Sequence, residues 1–329
     1  MPDRHGWRRG GVALALLLGV LPAVLSMLDQ GYLFRLAELT MIFSILAVGL
    51  NLVTGSAGLV SLGHAAFYAI GAYTAALLAT RAGTGLEVNL PAAALIAGVI
   101  AALVAVPAIR LVRIFFTVAT LSVGEIVNIV ITNWDALTHG PMGIRGIPPM
   151  RLFGIDLGSR PGTFYAIAVP TVLCIAAVQR LTASWYGNAL RALREDDQSA
   201  AAMGIDVRAL KIGAFAISGA LAGIAGALLA HSTGFISPDM FGIDESILML
   251  TMVVVGGLGS PPGAILGAAL LILIPELARG LGQYRMVLVG LVLYLSILGM
   301  PKGILPEALA LRPRRLPPPP RQGGPGLPS

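Results

Sequence analysis

Apolar runs long enough to cross a membrane alternate with short polar or glycine-rich breaks along most of this chain. A helix needs about 20 apolar residues to cross a hydrocarbon core of roughly 30 Å. Ten segments approach or reach that length: 11–28, 36–54, 65–80, 90–108, 115–132, 162–178, 212–230, 246–258, 264–277 and 286–300. The pattern predicts an all-α polytopic membrane protein of about ten transmembrane helices, some broken or re-entrant. The first segment follows a short basic stretch, as a signal peptide would. Its apolar core is longer than a signal requires and no small-x-small cleavage site precedes Asp29, so it reads as a spanning helix. The expected organisation is a basic N-terminus over 1–10, a transmembrane domain over 11–305, and a Pro/Gly-rich, basic, disordered tail over 306–329.

Three breaks carry most of the information. The polar island 184–206 separates two apolar blocks and contains Arg191, Arg194, Glu195 and Asp197. Asn188 is a plausible N-cap for a first turn bearing the two arginines. Glu195, Asp196 and Asp197 suit the start of a second short helix reaching about Met203, with Gly204 as a left-handed stop and Asp206 capping the next helix. Ala200, Ala201, Ala202 and Met203 give that helix little bulk, so it fits a partner's groove; the plain alternative is a solvated loop.

The second break holds Gly55, Gly58, Ser61, Gly63 and His64, with Asn51 just before it. Non-helical backbone at membrane depth persists where protein or a watery cavity satisfies it, so this stretch is a candidate path lining, against the alternative of a tight loop. The third break, with Gly256, Gly257 and Gly259, superficially resembles a phosphate loop. No lysine follows it as in a P-loop, and Pro261-Pro262 is expected to block a helix start there. Glu125 lies inside the fifth apolar segment, where an ionisable group is costly. It serves either a solute's amino group or a neighbouring helix.

Composition and charge agree with the membrane reading. Hydrophobic residues make up 56% of the chain and charged residues 12%, with a mean hydropathy of +0.85. The net charge of +6 does not indicate nucleic acid, because the basic residues are scattered without interleaved aromatics. With ten crossings and an inside N-terminus, inner regions hold 15 Lys and Arg and outer regions 7, three of them in the long loop 133–160. That asymmetry puts both termini and the island in the cytoplasm. The single Cys174 excludes a disulfide framework, and no His-Glu-x-x-His or nucleophile–base arrangement indicates an enzyme.

The run 51–76, NLVTGSAGLVSLGHAAFYAIGAYTAA, and the run 255–268, VGGLGSPPGAILGA, resemble the signature regions of branched-chain amino acid ABC transporter permeases. The loop 138–149, THGPMGIRGIPP, resembles the outer loop of the LivM branch. The resemblance implies an importer permease in the bacterial cytoplasmic membrane, surrounded by lipid, with a LivH-like second permease, two ATPase subunits and an extracytoplasmic binding protein as partners. It implies no catalytic residue, metal or cofactor in this chain, ATP being bound by partner subunits. It makes the island a cytoplasmic coupling helix, although Gln198, Ser199 and Ala200 stand where the family has Glu-Ala-Ala before Gly204. Other classes stay open from sequence: an ion- or proton-coupled secondary transporter or channel, or a related permease for urea, amides or aromatic acids.

Overall fold

A computed structural model describes residues 31–111, 113–277, 290 and 303. The expected first and tenth crossings and both terminal segments lie outside the described residues. The fold is all-α and polytopic. In chain order the helices are α1 (Gly31–Asn51), α2 (His64–Ala82), α3 (Leu86–Ala108), α4 (Arg113–Asn133), the one-turn α5 (Asp135–Thr138), α6 (Arg160–Ala183), α7 (Trp185–Glu195), α8 (Asp197–Ala202), α9 (Val207–Thr233), α10 (Ile243–Gly256) and α11 (Pro261–Leu277). Five helical segments among the described residues are long and apolar enough to cross a membrane: Tyr32–Ser56, Leu86–Ala108, Ile114–Asn133, Arg160–Ala183 and Val207–Thr233.

Helix boundaries follow local chemistry. Ser159 accepts the Gly162 N–H at 3.2 Å and Pro161 occupies the first turn of α6, where its missing N–H costs nothing. Gly83 and Gly234 end α2 and α9 at φ of 62° and 68°, the left-handed region in which glycine carries no Cβ penalty. Pro261 corrects the sequence expectation. It begins α11 instead of blocking it, because proline suits the first position of a helix, and Ser260 caps the turn by accepting the Gly263 N–H at 3.3 Å.

The centre of the core holds a seam of small residues along α9. α9 lies against α3 and α2 so closely that a Cβ on Gly223 would come within 2.3 Å of the Ala93 carbonyl oxygen. One on Gly226 would come within 2.2 Å of the Tyr68 carbonyl oxygen. Without a strong hydrophobic drive between helices in lipid, such close backbone approach supplies the packing energy. Large apolar side chains fill the rest of the core, Ile42, Leu46, Tyr68, Phe116 and Phe215 among them, and others cover the outer faces of α3 (Leu95, Val99, Leu103), α4 (Ile114, Phe115, Ile126) and α6 (Val169, Leu173), where they are exposed.

One end of the bundle is organised by the long connection 133–160. Its strand β1 (Ile144–Arg145) pairs antiparallel with β4 (Phe235–Ile236), which follows α9, and Arg145 lies over the Phe235 ring. Strands β2 (Arg151–Leu152) and β3 (Ile155–Asp156) form a hairpin whose tip, Phe153-Gly154, has positive φ at both residues. Arg81 near the end of α2 donates to the Ala136 carbonyl at 3.1 Å. Beneath this layer the buried Asn89 side chain and His231 Nε2 are 3.0 Å apart, while His231 Nδ1 is 3.0 Å from the Pro148 carbonyl. A carbonyl only accepts, so Nδ1 carries the ring proton and Nε2 accepts from the Asn89 amide. The long connection and the segment after α9 thus share one end of the molecule. The polar island lies at the other end.

Candidate coupling and translocation site

α1 does not end cleanly at Asn51. It widens into a π-helical turn, Leu52–Ser56, with every residue buried, the kind of insertion often seen at functional positions in helices. Residues 57–63 then run without helix alongside the first turns of α4. Thr117 donates to the Val60 carbonyl at 3.0 Å, and Thr120 accepts the Leu62 N–H at 3.2 Å. These two threonines satisfy backbone that hydrocarbon could not. Gly63 fits against α4 because a Cβ there would lie 2.1 Å from the Thr120 carbonyl oxygen. Ser61 and His64 are buried, and Ser61 Oγ and His64 Nε2 have no hydrogen-bond partner among the described residues.

The third break meets the second directly. α10 stops at Gly256; Gly257 and Gly259 adopt φ of 114° and 84°. The Gly259 N–H donates to Asn51 Oδ1 at 2.8 Å, joining the two glycine runs. A Cβ on Gly55 would sit 2.1 Å from that Asn51 oxygen and 2.3 Å from Gly259 N, and one on Gly256 would sit 2.0 Å from the Gly263 carbonyl oxygen. Asn51, Gly55, Gly256 and Gly259 therefore form a packed junction of backbone on backbone.

The island closes over this junction. Ser184, not Asn188, caps α7, accepting the Tyr186 N–H at 3.2 Å; Asn188 sits inside the first turn and accepts from Arg191. The displacement has a simple cause: α6 runs on to Ala183, so the first residue with extended backbone and a capping oxygen is Ser184. The α7 face of Ala189, Leu190 and Leu193 is buried, and Tyr186 donates to the Leu210 carbonyl at 3.0 Å. Burial pushes the Tyr186 phenol up to about 12. Arg194 turns inward. Its Nη1 donates to the Gly55 carbonyl at 2.6 Å, and its stem lies over Gly58, whose Cβ would come 2.9 Å from Arg194 Cγ.

α8 is held from below. Asp196 is its N-cap, accepting the Gln198 N–H and the Ser199 hydroxyl at 2.8 Å each. The Ser199 hydroxyl, then the Gln198 and Ser199 amides, hold the Asp196 carboxyl below the usual carboxylate range. Asp197 pairs with the buried Lys211 at the start of α9, and Ala200 is buried. Gly204, at φ 80°, ends the helix, with the Ile205 N–H returning to the Ala200 carbonyl at 3.2 Å. Asp206 caps α9 through the Ala209 N–H. What the island presents outward is Arg191, Glu195, Ala201, Ala202, Met203 and Gly204, Met203 being 83% exposed. The expected docking set therefore divides: Arg194, Asp197 and Ala200 bind this chain's own core, and the others remain accessible.

Glu125 stands apart from the junction, exposed on α4, with no hydrogen bond or ion pair among the described residues. Thr117, Thr120 and Lys211 were not singled out from sequence. No glycine break adjoins the two threonines in sequence; the fold alone brings them to residues 60 and 62. No His, Cys, Asp and Glu grouping able to hold a metal occurs among the described residues.

Across residues 32–297 the chain matches the protein family described as branched-chain amino acid transport system / permease component. It is 40% identical to the high-affinity branched-chain amino acid transport system permease protein LivM of Escherichia coli (strain K12), over 82% of this chain and 69% of that protein. It is 29% identical to the corresponding LivH of Salmonella typhimurium, over 80% of this chain and 91% of that protein. The autoinducer 2 import system permease protein LsrC of Yersinia pestis (strain Pestoides F) is 30% identical, over 80% of this chain and 75% of that protein. No solved structure matches the chain.

Proposed function

The chain belongs to the branched-chain amino acid transport system permease family, LivM branch, and from that premise we propose that it carries branched-chain amino acids across the bacterial cytoplasmic membrane using ATP hydrolysed elsewhere. It is the membrane-spanning permease subunit of an ABC importer, in a two-permease system of the Liv type. The partners proposed for it are a LivH-like permease, two ATPase subunits and an extracytoplasmic binding protein, with both termini and the island on the cytoplasmic side. Higher identity to LivM than to LsrC favours amino acids as the solute.

One observation supports the mechanism above others: the Arg194 bond to the Gly55 carbonyl, which ties the island to both glycine breaks at once. The outward surface of Ala201, Ala202 and Met203 docks on an ATPase. Its displacement passes through α7 to Arg194, and from there to the junction where α1, α10 and α11 are interrupted. Motion at those interruptions opens and closes the path, because a junction packed this closely changes state as a unit.

The test is uptake of labelled leucine into proteoliposomes holding the full complex, with ATP inside or outside and loaded binding protein supplied. Uptake that needs ATP on the ATPase side is the expected result. Uptake driven by a sodium or proton gradient with no ATPase present overturns the proposal.

A further inference from the structure

A narrow cleft lies between α4, the first turn of α2 and the first turn of α10. Leu62 and Ala65 form one wall, Leu121 and Glu125 a second, and Phe241, Ile243 and Ser246 the third. Glu125 is embedded in a segment long and apolar enough to span the membrane, yet it is exposed and unpaired among the described residues. A carboxylate in that position is costly against lipid, so its face of α4 meets water, solute or protein. Ser246 is buried, and its oxygen accepts the Ala65 N–H at 3.1 Å. Its own hydroxyl proton has no acceptor among the described residues.

An anionic oxygen, a spare hydroxyl donor and an apolar wall of Leu121, Phe241 and Ile243 thus converge on one space. A free amino acid carries an ammonium, a carboxylate and, in the branched-chain case, an aliphatic side chain. We propose that this cleft is a transient subsite for the zwitterionic solute, in which Glu125 takes the ammonium, the Ser246 hydroxyl donates to the carboxylate, and Leu121, Phe241 and Ile243 receive the side chain. The inference rests on the permease reading above and adds the solute's point of contact. The cleft measures about 10 Å³, the space of one water. Admitting leucine would require α4 to move away from α10. A site that must release its solute each cycle gains from being collapsible.

The experiment uses the full complex in proteoliposomes with labelled leucine, comparing wild type, Glu125→Gln and Glu125→Asp. Glu125→Gln is expected to lower uptake about tenfold while all subunits still co-purify, and Glu125→Asp to restore a large part of it, because the charge is what binds the ammonium. In a Cys174→Ser background, Leu121→Cys is expected to be shielded from a thiol reagent by leucine during turnover and not by 4-methylpentanoate, which lacks the amino group. Glu125→Gln uptake within about twofold of wild type, loss of the second permease from that variant's complex, or equal shielding by both compounds overturns the subsite. A wild-type complex that imports no leucine overturns the permease reading beneath it, and the subsite with it.

Discussion

The backbone N–H of Gly259 donates to the side-chain oxygen of Asn51 at 2.8 Å, across 208 positions of sequence. That bond locks two interrupted helices at the point where each loses its regular ladder. Asn51 is 1% exposed, so its side-chain oxygen has no water as an alternative partner. Replacing Asn51 with leucine, of similar volume, removes this bond at a cost of about 1 kcal/mol. A lower melting temperature of the purified complex, with uptake falling further than stability alone explains, is the expected outcome.

Arg194 makes a charge-assisted bond to the Gly55 carbonyl, and its removal as Arg194→Ala costs about 2 kcal/mol. The ratio of leucine imported to ATP hydrolysed should fall sharply while ATPase subunits still co-purify, since the outward face of α8 is untouched. An unchanged ratio would show that the island drives the breaks by another contact.

Gly55→Ala and Gly83→Ala separate space from conformation. At Gly55 the added methyl meets Asn51 and Gly259 closer than 2.5 Å; at Gly83 it meets nothing within 4 Å, though φ is 62°. Overpacking of about 1–3 kcal/mol is expected at the first and backbone strain alone, about 1 kcal/mol, at the second. Uptake should be lost only in the first.

Gly204 also has open space around it and a φ of 80°. Valine there costs about 1–3 kcal/mol of backbone strain and misdirects Ile205, whereas asparagine tolerates the left-handed region. Gly204→Val should uncouple hydrolysis from uptake, and Gly204→Asn should keep most transport.

Because the Asp196 carboxyl is held below its ordinary value near 3.8, its contribution to α8 is complete above that value and fades as pH falls through the lower folded one. Hydrogen exchange at Ala200–Met203, corrected for its intrinsic pH dependence, should be flat from neutral pH to about 5 and accelerate only in stronger acid. In Ser199→Ala, which loses the largest of the stabilising bonds, the acceleration should begin at higher pH.

The helices were legible because apolar length and turn chemistry are local. Asp206 and Gly204 fall where capping rules put them, and the apolar segments within the described residues became helices with ends shifted by a few residues. Proline misled at Pro261, where the same missing N–H that forbids an interior position suits a first one. The orientation of the island was not legible. Arg194 finds its acceptor 139 residues away, and Ala200 and Ala201 are alike in sequence but one is buried and the other exposed. Long-range partners carry no local signature, and six residues are too few for an amphipathic pattern to assign a face.

The glycine seam along α9 has a mechanical meaning. α9 has 27 residues and so extends about 40 Å, nearly the full height of a bilayer with its headgroups. Gly219, Gly223 and Gly226 bring it into close backbone contact with the helices beside it. One tip carries the Lys211–Asp197 pair and the other carries β4, laced to β1. Under the proposed coupling role it would act as a pushrod: a tilt imposed at the island end would reach the loop layer at the other tip as rigid-body motion, alongside the path through Arg194.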